Sequence, residues 1–333
     1  MTVTPESVSS STNCHAIPPD ERTWLIDADE YGFIAIDGAD AVKFLQGQVT
    51  CDVLELAAAT TRLGAQCTPK GRMLFSFRAL QPSPTRVLLR MHSGLVDTAL
   101  TSLGKYIVFS KAKLANVNED YQSIIIRGPN AAAIVERNFG AVPANNDDWI
   151  EFNGCLVIKI SCDIFECWLT ADHAEPIRAA LTTECVKVGS NAASLLAIRH
   201  GLGEVRSETQ ETFTPQALNF QLVNAINFRK GCYTGQEIVA RLHYRGTLKR
   251  HMYRFGFVLV DGENLPAPGS AVVNTSQQNI GEIVLAAHAE NGHAEALAVV
   301  ADDQLTQVRL PGEGGKILMP LPLPYAIPSE DKN

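Results

Sequence analysis

Residues 227–254 read Asn227-Phe228-Arg229-Lys230-Gly231-Cys232-Tyr233-Thr234-Gly235-Gln236-Glu237-Ile238-Val239-Ala240-Arg241-Leu242-His243-Tyr244-Arg245-Gly246-Thr247-Leu248-Lys249-Arg250-His251-Met252-Tyr253-Arg254. Seven bases stand here against one acid, Glu237, a local net charge of +6. The 333-residue chain carries 28 Lys plus Arg and 36 Asp plus Glu, net −8, so the remainder is −14. Charge is therefore segregated into one short basic segment. Within it Cys232 follows two cations, and Gly235 opens a helix expected over Gln236–Leu242. Nearby cations and a helix N-terminus both favour a thiolate, so Cys232 is the candidate functional thiol. A cysteine buried in a tight turn is the competing reading. Arg241, Arg245 and Lys249 step at four-residue spacing, with a turn expected at Gly246. They read either as a solvated basic surface or as a clamp for a polyanion or a ligand carboxylate. Tyr233, Tyr244 and Tyr253 either stack on a heterocycle or pack.

Upstream, residues 1–22 are rich in Ser, Thr and Pro and read as a flexible tail. Strands are expected at Phe33–Ile36, Leu63–Thr68, Met73–Leu80 and Arg86–Met91, with helices over Ala39–Thr50 and Leu95–Leu103. A second such unit follows. It has strands at Gln122–Arg127, Leu156–Ile160 and Phe165–Leu169. Its helices start at Gly128-Pro129, at Pro176 and after Ser190. Downstream of residue 250, short strands at Tyr253–Val260, Ala271–Asn274, Gly281–Ala286 and Ala294–Val300 alternate with Gly, Pro and Asn turns, which reads as a small β-barrel. Strand and helix runs that repeat this way favour α+β over a doubly wound sheet.

No apolar run approaches the ~18 residues of a membrane span. The first 21 residues have no Lys or Arg and no apolar core, so neither a signal peptide nor a transit peptide is expected. With no disulfide framework in the spacing of the eight cysteines, reduced thiols in a cytoplasm are the expectation. The acidic total argues against direct coating of nucleic acid. Gly201-Leu202-Gly203 fails as a dinucleotide fingerprint because Arg206 holds the third glycine position. Cys155, Cys162 and Cys167 read as packing residues rather than zinc ligands.

Lys230-Gly231-Cys232-Tyr233-Thr234-Gly235-Gln236-Glu237 matches the signature K-G-C-Y-x-G-Q-E, and on these residues the chain resembles the YgfZ family. That family comprises folate-binding proteins linked to iron–sulfur cluster assembly or repair and to tRNA modification. It is related to the glycine-cleavage T-protein, a tetrahydrofolate-dependent aminomethyltransferase. Further matching segments are Gly38-Ala39-Asp40 with Phe44–Thr50, the turn at Lys70-Gly71, Lys105–Lys111, Phe213–Asn219 and Leu323-Pro324-Tyr325.

The resemblance implies a T-protein-like three-part ring around a central cavity: two mixed α/β parts and a C-terminal antiparallel β-barrel. The parts map to 23–118, completed by 202–249, then 119–201 and 250–327, with tails at 1–22 and 328–333. It implies that Cys232 is required, with Lys230 beside it. Folate or tetrahydrofolate would be held by Tyr31, Gln46, Arg199, Tyr233, Gln236, Glu237 and Arg241. The family's second folate-facing tryptophan corresponds to Ala193 and its acidic residue to Arg199. Asp97 lies near the catalytic Asp of the aminomethyltransferase branch and reads otherwise as a surface helix residue.

Three functions follow. The first is a folate-binding accessory protein whose partners are iron–sulfur enzymes or their assembly machinery, with tRNA-modifying enzymes indirectly. The second is a folate-dependent aminomethyltransferase, and the third a tRNA-binding module using residues 229–254. Cys232 would ligate iron transiently at most, since a stable cluster needs about four ligands. If folate binds centrally, Cys232, Tyr31, Gln46, Arg199 and Arg241 are expected around one cavity.

Overall fold

The computed structural model describes residues 21–328 apart from Thr247, Asp261 and Glu313; Cys14 and most of the expected N-terminal tail lie outside them. The strands are β1 (Trp24–Asp27), β2 (Tyr31–Asp37), β3 (Arg62–Cys67), β4 (Met73–Ser83), β5 (Arg86–His92), β6 (Lys113–Asn116), β7 (Tyr121–Arg127), β8 (Trp149–Phe152), β9 (Cys155–Ser161), β10 (Ile164–Thr170), β11 (Val186–Val188), β12 (Arg250–Val258), β13 (Ala271–Val273), β14 (Asn279–His288), β15 (His293–Ala301) and β16 (Met319–Leu321). The α-helices are α1 (Ala41–Gln46), α2 (Val96–Gly104), α3 (Ala131–Phe139), α4 (Ala171–Thr182), α5 (Asn191–Arg199) and α6 (Gln236–Arg245).

The described residues form three sheets, ordered β3-β4-β5-β2-β6, β11-β1-β7-β10-β9-β8 and β13-β14-β15-β12-β16. The fold is mixed α and β, with an antiparallel C-terminal sheet as expected. That sheet has five strands. Its β13 edge continues through single bridges from Val273 to Arg309 and from Arg309 to Ile317, and the segment carrying Ile317 runs on into β16 at the other edge. Sheet membership departs from a part beginning at residue 23. β1 pairs in the second sheet, parallel to β11 and antiparallel to β7.

The first two sheets pack face to face, and this creates the site. In β2 and β5, Ile34, Ile36, Val87, Leu89 and Met91 face one core with α1 and α2. The alternate residues Phe33, Ala35 and Leu88 face Leu156, Ile158 and Trp168 of the second sheet. Period-two alternation puts Tyr31, Arg78 and Arg90 on that same inter-sheet face. In β10, Phe165, Cys167 and Leu169 turn to the α3–α4 side, which leaves Glu166 pointing at the first sheet. Helix α5 closes one side, with Ala192, Ala193 and Leu196 against Trp24, Ile26 and Ile164.

Three helix boundaries differ from expectation; α6, expected to end at Leu242, runs on to Arg245 ahead of Gly246. The helix expected over Ala39–Thr50 stops at Gln46, because Val49 bridges to Gln66 and extends the chain. The helix expected to start at Pro176 begins at Ala171, capped by extended Thr170, with Pro176 inside it.

Candidate functional site

Between the sheets and α5 lies a partly enclosed cavity. Most of its wall is apolar, including Phe77, Ile125, Ile160, Ile164, Ala193, Leu196 and Phe220. Tyr31, Arg78, Arg90, Glu166, His200 and Glu204 supply the polar groups.

These polar groups belong to a chain of alternating buried charges. Arg90 Nε donates to Glu166 Oε1 at 2.9 Å and Arg90 Nη2 to Glu166 Oε2 at 3.1 Å. Its Nη1 donates to Glu204 Oε1 at 3.0 Å. The Arg90 guanidinium stacks 3.7 Å above the Tyr31 ring centroid, and the Tyr31 hydroxyl donates to both Glu204 oxygens at 3.3 Å. Arg206 lies 3.5 Å from Glu204 and donates to Glu30 at 3.1 Å. At the other end Arg78 Nε lies 3.6 Å from Glu166, and Trp168 Nε1 donates to Glu166 at 2.7 Å. Burial alone would raise the Glu166 carboxyl, but Arg90 and Arg78 more than offset it and hold it below its ordinary range. Burial and Glu204 push the Tyr31 phenol well above its ordinary value, so it stays a proton donor.

The Cys232 loop lies elsewhere, fastened to the first α/β part. Lys230 Nζ donates to the carbonyls of Val49 at 2.8 Å and Cys51 at 2.6 Å, and lies 5.3 Å from the Tyr233 ring centroid. Asn227 Oδ1 accepts from the Arg229 and Lys230 amides, and the Asn227 amide donates to the Thr50 carbonyl. Gly235 precedes α6 at φ +85°; a Cβ there would meet Thr68 O at 2.5 Å and Cys67 Cβ at 2.9 Å. This close approach explains the glycine and the adjacent Pro69-Lys70-Gly71 turn. Cys232 itself is exposed, whereas Cys51, Cys67, Cys155 and Cys167 are buried. Burial pushes the Cys51 and Cys67 thiols up to about 12.

Residues 11–230 match the GCVT N-terminal domain family. The tRNA-modifying protein YgfZ of Photobacterium profundum is 34% identical over 313 residues, 91% of this chain and 92% of that protein. The chain belongs to the YgfZ family. The tRNA-modifying protein YgfZ of Colwellia psychrerythraea is 27% identical over 97% of this chain and 100% of that protein. The glycine cleavage system aminomethyltransferase T of Bartonella henselae superposes with a TM-score of 0.72 over 90% of this chain and 85% of its own, at 18% identity; that is a likeness of fold.

In this YgfZ-family chain the five residues expected around one cavity are not brought together. Tyr31 is on the wall, and so is Ala193. Arg199 turns away from the cavity to the C-terminal sheet, where it donates to Glu295 Oε1 at 3.0 Å and to Glu290 Oε2 at 2.5 Å. Gln46 is spent locally: its Nε2 donates to Asp52 at 2.9 Å and its Oε1 accepts from the Val53 amide at 2.7 Å. Arg241 and Glu237 are exposed on α6, Gln236 is half-buried at its start, and Tyr233 is buried beneath Lys230. The Lys230 amine is committed to two carbonyls. The three tyrosines do not converge, since Tyr244 is exposed and Tyr253 donates to Asp302. Asp97 is exposed in the first turn of α2 and is not on the cavity wall.

An outer groove lined by Asn227, Phe228, Arg229, His243 and Tyr244 shares Leu63 and Val223 with the cavity, linking it to the base of the Cys232 loop. His243 stacks on Phe228 with centroids 3.7 Å apart. The motif segments at 213–219 and 323–325 also meet: Asn219 Nδ2 donates to the Met252 carbonyl and lies 3.4 Å from the Tyr325 hydroxyl, which donates to Gly201 O. Among the described residues no cluster of three or more His, Cys, Asp or Glu could hold a metal ion, and no helix is long and apolar enough to cross a membrane. Sequence reasoning missed Arg78, Arg90, Glu166 and Glu204. A signal existed: Arg90 and Glu166 each interrupt an apolar strand, and a buried charge requires an opposite partner.

Proposed function

We propose that this chain is a cytoplasmic folate-binding accessory protein that supports iron–sulfur cluster assembly or repair and cluster-dependent tRNA modification, with Cys232 as its working thiol. The observation that carries the reading is the Cys232 loop. It presents an exposed thiol on a backbone pinned by Lys230 and Asn227, with Gly235 allowing close approach to Thr68. The cavity lining, apolar with a few polar groups, is of the kind that receives a heterocycle. Phe77 and Phe220 offer aromatic surface, and the Tyr31–Glu204–Arg90 cluster offers a polar edge for ring heteroatoms. Ala193 leaves room where the family resemblance puts a tryptophan. Bound tetrahydrofolate would supply one-carbon carriage. The protein's own part is to orient the ring between Tyr31 and the apolar wall and to exclude water from it. Relatives titled tRNA-modifying proteins support the tRNA connection.

The test is complementation of a host lacking its own family member, with wild type and Cys232→Ala, alongside tetrahydrofolate titration of both purified proteins. Cys232→Ala is expected to bind folate like wild type and to fail in restoring cluster-dependent tRNA modification. Equal restoration by both would sink the reading. The aminomethyltransferase alternative draws on the fold likeness; it predicts turnover of an aminomethyl donor that Asp97→Asn abolishes.

A further inference from the structure

We propose that the turn spanning residues 105–113 is a docking surface for a protein partner that presents an apolar pocket rimmed by carboxylates. Phe109 is 99% exposed, Val108 73% and Tyr106 47%, three outward-facing side chains within four residues, with half-buried Ile107 among them. Lys105, Lys111 and Lys113 flank them, all exposed, and no acid occurs between 105 and 113. A contiguous apolar patch ringed by charge is the anatomy of an interface: a central aromatic anchor with a polar rim.

The exposure is built rather than loose. Ile107–Phe109 form a single 3₁₀ turn, closed by the Ser110 amide donating to Ile107 O at 2.8 Å. The Lys111 amide donates to Asp40 Oδ2 at 2.8 Å, and the Asp40 amide returns a bond to Lys111 O at 3.2 Å. Gly38, at φ +139°, lets the backbone lie against the Lys111 carbonyl where a Cβ would collide. From Lys113 the chain enters β6, paired to β2. A turn fixed at both ends presents its side chains without a large ordering cost on binding. The fold gains nothing from Phe109 in this position.

The chemistry favours protein over RNA or lipid. Val108 has no stacking face for a base, and three lysines in an otherwise acidic surface are few for a polyanion. Three apolar side chains on a protein of net charge −8 make a poor anchor in an anionic membrane. The lysines instead select among protein partners for an acidic rim.

The experiment places a benzoylphenylalanine photocrosslinker at position 109 of the full chain in cells, with position 136 on the exposed face of α3 as control. Adducts are identified by mass spectrometry, and the identified partner is purified and titrated against wild type, Phe109→Asp and the Lys105→Glu/Lys111→Glu double variant. We expect a protein adduct at 109 and not at 136. Affinity is expected to fall at least tenfold for each variant, with melting temperature unchanged. Any of four results overturns the proposal: no adduct above the control; adducts only to RNA, to a second copy or within the chain; equal affinity of Phe109→Asp; or Phe109-dependent binding of oligouridylate or phosphatidylglycerol vesicles.

Discussion

Replacing Arg90 by Met removes the central cation of the inter-sheet network while keeping much of its aliphatic length. The Arg90 side chain is 7% exposed and Glu166 4%, so neither charge has water to fall back on. Three charge-assisted hydrogen bonds disappear, two to Glu166 and one to Glu204. Breaking a buried ion pair from one side costs about 3–5 kcal/mol, because it strands the other charge. Here the residual partners are Arg78 at 3.6 Å and the Trp168 N–H for Glu166, and Arg206 and Tyr31 for Glu204. The lower end, about 3 kcal/mol, is therefore expected, a fall of roughly 4 °C in Tm for a chain of this length.

The pH dependence sharpens the test. In wild type the Glu166 carboxyl is held low, so its contribution is full above the unfolded carboxylate pKa and is lost as pH falls through the lower folded value. In Arg90→Met, burial outweighs what remains of the offset and the folded carboxyl pKa rises. The folded state then binds the proton more readily than the unfolded chain, and acidification relieves the variant. The stability gap between the two proteins should thus narrow from pH 7 to pH 4 in calorimetric or circular-dichroism melts. The double variant Arg90→Met/Glu166→Leu should recover much of the loss at pH 7. A single variant within about 1 kcal/mol of wild type at pH 7, or a gap that widens on acidification, would refute the account of the network as a mutually compensating buried pair.

Iodoacetamide should alkylate Cys232 and Cys162 of the native protein well before Cys51, Cys67, Cys155 and Cys167, as read by peptide mass spectrometry; early labelling of Cys67 would contradict the burial described. Gly235→Ala should lose more than about 1 kcal/mol in urea unfolding, since it adds a Cβ both at positive φ and against Thr68 O. Burial lowers the Lys230 ammonium to about 8, with Cys51 and Asp52 acting the other way. The unfolded chain then holds more protons than the native one above that pH, so wild-type stability should gain from pH 8 to 10 relative to Lys230→Met. Parallel urea melts at pH 7.5 and 9.5 measure this, and parallel slopes for the two proteins would rule it out.

Local pattern carried most of the elements into view. Alternating and continuous apolar runs located β2, β4, β5, β7, β9, β10 and β12 to within a few residues. What it could not carry was partnership across long separations. Arg90 and Glu166 are 76 residues apart, and each looks like an intrusion in its own strand until the two sheets are stacked. The Cys232 loop was legible because its glycines, cations and thiol are adjacent in sequence. The purpose of Lys230 was not, because its acceptors are backbone carbonyls at Val49 and Cys51, which leave no side-chain signature. Arg199 misled for a related reason: its position suggested the cavity, whereas Glu290 and Glu295, far downstream, draw it to the C-terminal sheet.

Strand β1 has a consequence for how this chain comes off the ribosome. It precedes every other described strand, yet both of its ladder neighbours, β7 at Tyr121–Arg127 and β11 at Val186–Val188, are made much later. The sheet built from β2 to β6 can close once Asn116 is out, while Trp24 and Ile26, fully buried in the finished protein, still wait for their partners. Such a delay exposes apolar surface for the duration of about a hundred residues of synthesis and makes the nascent chain a natural client for chaperones. It also means that cutting near residue 119 does not separate the two α/β units. A fragment starting there would leave β7 and β11 with an empty lane between them, and damage to Trp24–Asp27 would be felt in the second unit rather than the first.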